Sequence, residues 1–561
     1  MKLFRNTFTL MLFVTFSSLI SNSQSTSSIS INTDYTDVID TIGPIWNGIG
    51  GSTGLAMTPQ GERLLQRIVD SSPYPYYKRV WGVTETGTAV PFTAEADWGS
   101  TNVYQVDKNG NPFYDFTLFD QIFDVVQAKK KYIPIMHLGN MPDSLSSAPK
   151  TIRHVKENLI KYPPKDYNHW YDLIYNIVKH CVERYGKESV VQWKWEVWNE
   201  PDLTNFWMGT EEDFHKMYDY AAAAVKSALP EAQVGGNSVT QNIKRGTPVL
   251  VRFIEHCMSG KNYKDGSVGA PLDFITFHLK ATNFAIGKLG NFTSEKLAAG
   301  IPDFSPSLDF IKESASTNLA KIAAIPGTAG IPVFVTEGDI DIGLNVTTTE
   351  NPGVEYRNTE YHAVFQCAFA KEMLDLAITY PANPIKCLVF DGLFNPGFRL
   401  FEGQRTLFTT EEIAKPVFNS FSLMGKLGTE RIKLESIGDK NIDGLATRHG
   451  ESIQVMVYNF NQDVNDRELK KAELVVTLPS SGKYKLTHYR IDENHSNAYT
   501  IWKSMGKPYN PTEAQLNQIK YRQGLELYEP EKVIKAKENK ITLPLQLPHH
   551  SVSLLVFDPV K

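Results

Sequence analysis

A (β/α)8 TIM barrel followed by a C-terminal β-sandwich is the fold class this sequence predicts, an α/β architecture with an all-β appendage. Three observations carry the expectation. Between about residues 43 and 428, eight short β-rich apolar runs alternate with helical patterns, and eight parallel strands is the number that closes a barrel. No Gly-rich dinucleotide loop follows the first run, since GGSTG at 50–54 is too short and wrongly spaced, which disfavours an open doubly wound sheet. After about residue 430 the β-rich runs continue with no helical pattern between them.

The chain opens MKLFRNTFTLMLFVTFSSLISNSQ, with Lys2 and Arg5 ahead of an apolar run from about Phe8 to Ile20 and then small and polar residues. That is the layout of a cleaved secretory signal over 1–24 and implies a secreted or periplasmic protein; the run falls short of the roughly 20 residues a span requires. Residues 25–42 contain SISINTDYTDVI, an extended segment expected to join the later sandwich. The barrel, over 43–428, draws its strands from IWNGIG near 45, YYKRVWGV at 76–83, YIPIMHLG at 132–139 and VVQWKWEVWN at 190–199. The other four are AQVGGNSV at 232–239, DFITFHL at 273–279, PVFVTEG at 332–338 and IKCLVFDG at 385–392. Between them, stretches such as FDQIFDVVQAKKK and HWYDLIYNIVKHCVERYG repeat apolar residues at spacings of three and four, the period of an amphipathic helix. The sandwich, over 429–561, takes IQVMVYNF, AELVVTLP, YKLTHYRI, KITLPLQLP and SVSLLVFDP as strands, while 503–535 is an insertion without an assigned place.

Composition excludes several partners. The 561 residues are 42% hydrophobic and 21% charged with a net charge of −5, which gives no basis for binding nucleic acid or an anionic membrane. The four cysteines, Cys181, Cys257, Cys367 and Cys387, are widely spaced and match no zinc pattern, so core packing or at most one bridge accounts for them.

Catalytic groups of such a barrel come from the C-terminal ends of its strands. Here the fourth run ends in Asn199-Glu200, the sixth in His278-Leu279-Lys280, the seventh in Thr336-Glu337 and the eighth in Asp391. Either glutamate alone reads as a buried ion-pair member. Two carboxylates across one barrel mouth suit glycoside cleavage, one protonating the leaving oxygen while the other attacks or activates water. Glu196, four residues before Glu200, falls on the same strand face, towards the interior where Lys194 also points; it reads as part of a structural ion pair.

WEVWNEPD, with Asn199-Glu200-Pro201, resembles the acid/base motif of retaining glycoside hydrolases built on this barrel, and VFVTEGDIDIG resembles their strand-seven nucleophile segment. The resemblance extends over about 45–425 to family 39, which holds β-xylosidases and α-L-iduronidases and also carries an appended β-sandwich. It implies that Glu200 is the general acid/base, Glu337 the nucleophile and Asn199 a partner of the sugar 2-OH. FHLK at 277–280 is similar to an iduronidase segment that places Lys280 on the substrate carboxylate, with His278 pointing into the site. Asp391 followed by GQRTL at 403–407 is similar to their strand-eight segment and places Arg405 as the second carboxylate contact. Taken singly, Lys280 and Arg405 read equally as surface or ion-pair residues. Two departures bear on the pocket: Trp81 stands near where iduronidases carry a histidine, and an insertion around 290–320 lengthens the stretch from Lys280 to Glu337.

The expected activity is therefore that of a secreted, retaining, exo-acting glycoside hydrolase removing a terminal uronic acid, α-L-iduronic by resemblance, from an acidic polysaccharide or its oligosaccharides. The alternatives are a β-D-xylosidase of the same family and a non-catalytic carbohydrate-binding protein. Acid/base and nucleophilic carboxylates suffice for the chemistry, so neither metal nor organic cofactor is expected.

Overall fold

Eight parallel strands close into a ring in chain order: Gly48–Ile49, Tyr76–Val80, Tyr132–Leu138, Lys194–Val197, Gln233–Val239, Phe274–Lys280, Val333–Asp339 and Ile385–Phe390. The computed structural model describes residues 29–560 except 52–53, 55, 57, 88–99, 130, 155–158, 283–305, 344–345 and 395–396. The expected signal segment and part of the insertion around 290–320 lie outside the described residues. The ring closes where Val389 and Phe390 pair with Gly48 and Ile49. A β carbon on Gly48 would meet Cys387 Sγ and Leu388 O at 2.5 Å, so only glycine lets the two strands come this close.

Helices cover the outside of the ring, and side chains placed at their first turns define where they begin. Asp166 accepts from the N–H groups of Asn168 and His169 at the start of Tyr167–Tyr185, and Thr210 with Asp213 forms a reciprocal capping box on Glu211–Ala228. Thr359 caps Glu360–Thr379, whose buried face includes Phe365, Phe369 and Met373.

Strand four is shorter than its sequence predicts. Residues Lys187–Val190 make one helical turn and the chain turns again before Lys194, so VVQW is not strand despite its β propensity. Val190 and Trp193 are instead buried in the layer between the ring and its helices, Trp193 against Phe123 and Tyr185, and burial overrides local preference.

The C-terminal strands form a ten-stranded sheet in which the N-terminal strand Ile29–Thr41 lies between Glu430–Ile437, antiparallel, and Lys470–Thr477, parallel. Ile31, Val455, Leu474, Leu486, Leu545 and Phe557, from strands spread across the sheet, share one core, so the sheet folds over on itself as a sandwich. The stretch that had no assigned place forms part of a two-helix projection, Ala498–Ser504 and Glu513–Tyr521. It packs Tyr499, Trp502 and Ile519 against Leu400, Phe401 and Ile413 beyond barrel strand eight. All four cysteines are buried and unbridged. Among the described residues no helix is long and apolar enough to cross a membrane.

Candidate active site

Strand two brings a charged side chain to the middle of the barrel mouth. Arg79 is buried, and an ionised group there must be paired. Its guanidinium divides three ways: Nε donates to Glu196 Oε2 at 2.7 Å, Nη1 to Glu337 Oε1 at 2.8 Å and Nη2 to Asn199 Oδ1 at 2.7 Å. Glu196 is thus an ion-pair member, as its position predicts, but its partner is Arg79. Lys194 sits lower, its Nζ donating to Gln192 O beside the Tyr77 and Phe334 rings. Sequence reasoning passed over Arg79. The signal available was an arginine inside a run otherwise fit for a barrel strand.

The end of strand four is held in an unusual path. Trp198 and Glu200 have φ of 70° and 44°, and neighbouring Ser238 has 56°, a left-handed region that costs non-glycine residues roughly 1 kcal/mol or more each. Surrounding bonds impose it: Trp198 N donates to Leu138 O at 3.2 Å and Glu200 N to Ser238 O at 3.0 Å. The turn after Pro201 is closed by Leu203 N on Glu200 O at 2.9 Å. This geometry lifts the Glu200 carboxyl over the mouth, where it meets strand six.

His278 and Lys280, two apart on strand six, share a face. His278 Nδ1 and Glu200 Oε1 are hydrogen-bonded at 2.8 Å, and the same nitrogen is 3.7 Å from Glu337 Oε2. Lys280 Nζ is 2.7 Å from that Glu337 oxygen and 3.7 Å from Asp391 Oδ2. The two glutamates therefore sit in opposite fields. Burial pushes the Glu200 carboxyl up, and the nearby Glu337 charge adds to this against the opposing pull of His278. Burial alone would also raise Glu337, but the summed charges of His278, Lys280 and Arg79 outweigh it and hold that carboxyl well below its usual range. One carboxyl inclined to keep its proton faces one held ionised, the division of roles that glycoside cleavage needs.

The nearest carboxylate oxygens of Glu200 and Glu337 and a ring nitrogen of His278 all lie within 4.8 Å of one another. Three such donors have the spacing of a metal site. Both Glu337 oxygens, however, already face protein cations, Arg79 and Lys280, so an added cation would meet repulsion there. The close approach instead suits direct attack by one carboxylate rather than the spacing of about 6.5–9.5 Å that leaves room for a water between them.

Asp391 closes the floor. A β carbon on Gly50 would lie 2.8 Å from Asp391 Oδ1, so glycine is what admits this side chain. Arg405 lies against it, with Nη2 3.5 Å from Asp391 Oδ2, Nε 3.1 Å from Asp339 Oδ2 and Nη1 donating to Asp341 O. The predicted substrate contact is thus already engaged by two carboxylates of the protein, whereas the Asp391 side chain keeps 23% of its surface exposed. Trp81 stacks on His137 at 4.3 Å beneath the Arg79 guanidinium and forms an aromatic wall. Asn199 is buried with its oxygen on Arg79, and its amide nitrogen makes no hydrogen bond among the described residues.

All eight residues that the sequence singles out, Trp81, Asn199, Glu200, His278, Lys280, Glu337, Asp391 and Arg405, stand at this one mouth. Arg79 is the unanticipated member that ties strands two, four and seven together. Asp339, two residues beyond Glu337 on the same face, was also passed over, although DID in VFVTEGDIDIG held the signal.

Comparison with known proteins places the arrangement. The model of glycosyl hydrolases family 39 matches residues 98–524. The chain is 28% identical over 468 residues to a β-xylosidase of Geobacillus stearothermophilus, covering 83% of this chain and 84% of that protein. It is 24% identical over 382 residues to the α-L-iduronidase of Homo sapiens, covering 63% of this chain and 54% of the human protein, about half its length. Among solved structures, a monomeric β-xylosidase from Caulobacter crescentus CB15 superposes with a TM-score of 0.75 at 21% identity, covering 95% of this chain and 100% of that one. A structure described as the bacterial orthologue of human α-L-iduronidase gives 0.75 at 20% identity, covering 95% and 84%.

Proposed function

From the chain's membership of glycosyl hydrolases family 39, which makes it a retaining glycoside hydrolase, we propose that Glu200 is its general acid/base and Glu337 its nucleophile. The observation that carries this assignment is the opposed electrostatics of the two carboxyls. Glu337, ionised, attacks the anomeric carbon while Glu200 gives its proton to the departing glycosidic oxygen, and a covalent glycosyl-enzyme results. Glu200, now a carboxylate, takes a proton from water as that water attacks the same carbon from the face the leaving group vacated. The glycosyl–Glu337 bond breaks, and two inversions sum to retention. Asn199 presents its free amide nitrogen to the sugar 2-OH, and the Trp81–His137 stack supplies an apolar wall against the ring.

Activity then requires Glu337 without its proton and Glu200 with one. The kcat/KM profile is expected to be a bell whose acidic limb lies below the ordinary carboxylate range and whose basic limb lies above it. Glu200→Gln removes the titrating acid, so its residual activity on a substrate with a good leaving group, such as a 4-nitrophenyl glycoside, should lose the basic limb. A basic limb unchanged in that variant would remove Glu200 from the acid's role.

For the sugar, we propose a terminal uronic acid. Two cations, Lys280 and Arg405, converge on the partly exposed Asp391 beside Glu337, and Lys280 has ammonium donors beyond the one facing Glu337. The natural substrate is then an acidic polysaccharide or its fragments, cut from a non-reducing end. A neutral pentose such as β-D-xylose is the second reading, favoured by a specific observation: Lys280 and Arg405 already face Glu337, Asp339 and Asp391, which leaves no surplus positive charge. Similarity to the Geobacillus β-xylosidase over most of both chains points the same way.

Comparing an α-L-iduronide with the corresponding α-L-idoside, in which CH2OH replaces the carboxylate, separates the two. The uronate reading expects kcat/KM to favour the iduronide by about a hundredfold or more, with Lys280→Met erasing most of that preference. Turnover of 4-nitrophenyl β-D-xyloside alone would establish the neutral sugar instead.

A further inference from the structure

We infer that the two-helix projection of the sheet domain, residues 498–521, is a clamp that positions Arg405 in the sugar pocket through Glu355 and Phe401. Both helices are inserted far along the chain from the barrel, yet they seat on two segments that lead out of its mouth. The first grip is on the segment after strand eight. The Phe401 ring lies 5.3 Å from that of Tyr499, edge-on, and 5.4 Å from that of Trp502. The second grip is on the 3-10 turn Pro352–Asn358 beyond strand seven. There the Tyr499 hydroxyl donates to Glu355 Oε1, and Lys507 Nζ donates to the same oxygen at 2.9 Å.

From these grips an unbroken series of bonds runs to Arg405. Tyr356 and Arg357, the residues after Glu355, both hold Asp341, the arginine by Nε at 2.7 Å and Nη2 at 2.9 Å. Arg357 Nη1 also donates to Gly403 O at 3.2 Å, two residues before Arg405. Asn358 Nδ2 donates to Phe401 O at 2.9 Å, which joins the two grips. The series ends where Arg405 Nη1 donates to the backbone oxygen of Asp341.

A second observation shows that this segment is held rather than merely covered. Phe401 has a φ of 53°, in the left-handed region that a bulky aromatic residue adopts only when its surroundings impose it. Those surroundings are Tyr499, Trp502 and Asn358. Without the projection, the segment from Phe401 to Arg405 has reason to relax and to carry the guanidinium away from Asp391. Glu355, Phe401 and Tyr499 are thus positioning residues; none reaches the sugar.

The consequence for catalysis rests on the reading of Arg405 as a pocket residue, but the clamp itself can be tested without substrate. Glu355→Ala removes both the Tyr499 and the Lys507 bond. Amide hydrogen exchange of Glu402, Thr406 and Leu407 is expected to accelerate by about tenfold or more, with strands four and seven unchanged. Unchanged exchange at those three amides overturns the clamp, whatever the enzyme hydrolyses.

With whichever 4-nitrophenyl glycoside the wild-type enzyme turns over, Glu355→Ala is expected to raise KM about five- to tenfold with kcat within about twofold. Glu355→Gln, which keeps an oxygen for Tyr499, should bring KM back to within about twofold of wild type. If the effect passes through Arg405, Glu355→Ala combined with Arg405→Lys has a KM no higher than the worse single variant. Additive effects, or no rescue by glutamine, overturn the route through Arg405. Failure of the wild type on every glycoside would count against the proposed function, and the exchange measurement would still decide the clamp.

Discussion

Glu337→Gln is expected to lower kcat by about 10⁴-fold or more while leaving the fold intact, because it removes the carboxylate we propose as the nucleophile. The amide matches the carboxylate in size and keeps an oxygen for Arg79 or Lys280, so the barrel strands retain their packing. It has no charge with which to stabilise the oxocarbenium-like transition state. It also leaves the positive side chains that hold Glu337 ionised facing a neutral group. Glu337→Gly opens space at the same point, and added azide is expected to restore part of the rate on an activated glycoside. The product should then be a glycosyl azide of inverted anomeric configuration, seen by NMR. A Glu337→Gln enzyme keeping more than about a hundredth of wild-type kcat would contradict the assignment.

Arg79→Ala carries the second large effect, and it acts on stability and on chemistry together. Glu196 would be left ionised in the barrel interior without its cation, a loss of about 3–5 kcal/mol when one member of a buried pair is removed. Glu337 would lose one of the three charges that lower its pKa, so its carboxyl rises. The proposed mechanism needs that carboxyl ionised, so the acidic limb of the kcat/KM profile is expected to move to higher pH. Asn199 loses its anchor as well, which adds a rate loss at every pH. The double variant Arg79→Ala/Glu196→Gln removes the stranded charge, so thermal stability is expected to return in large part while activity does not. A single variant with wild-type melting temperature and an unmoved acidic limb would show that Arg79 is not the hub its contacts describe.

Much of this was legible in the sequence because it is carried by local pattern. Short β-rich apolar runs marked the eight barrel strands, apolar residues at spacings of three and four marked the helices between them, and a glutamate followed by proline at a strand end marked the mouth. Arg79 was not legible as the hub. Its three partners come from strands four and seven, over a hundred residues away, and only closure of the barrel brings them together. The same holds for Arg405. Its place after strand eight was visible, whereas the Asp339 carboxylate that engages it comes from strand seven. Strand four was read too long because Val190 and Trp193 have the composition of a strand yet lie in turns, buried against the helices. The stretch 503–535 resisted placement because the projection it contributes to, 498–521, completes its core on residues about a hundred positions away, Leu400 and Phe401.

The strand at Ile29–Thr41 gives the molecule a particular schedule of assembly. Thr33 Oγ1 donates to Lys433 O at 2.8 Å, across 400 residues of chain. At ribosomal speeds of about 5–20 residues per second, this strand, made before the barrel, waits roughly 20–80 s for its partners to exist. Its middle, TDYTD at 33–37, is polar enough to wait in water without seeking another edge. Once seated, it ties the segment ahead of the barrel to the strands that follow it, Glu430–Ile437 and Lys470–Thr477, so that the whole barrel lies within one closed loop. A cut placed just after the last barrel helix would therefore not release a self-sufficient enzyme: it would strand the opening segment with no neighbour on either side.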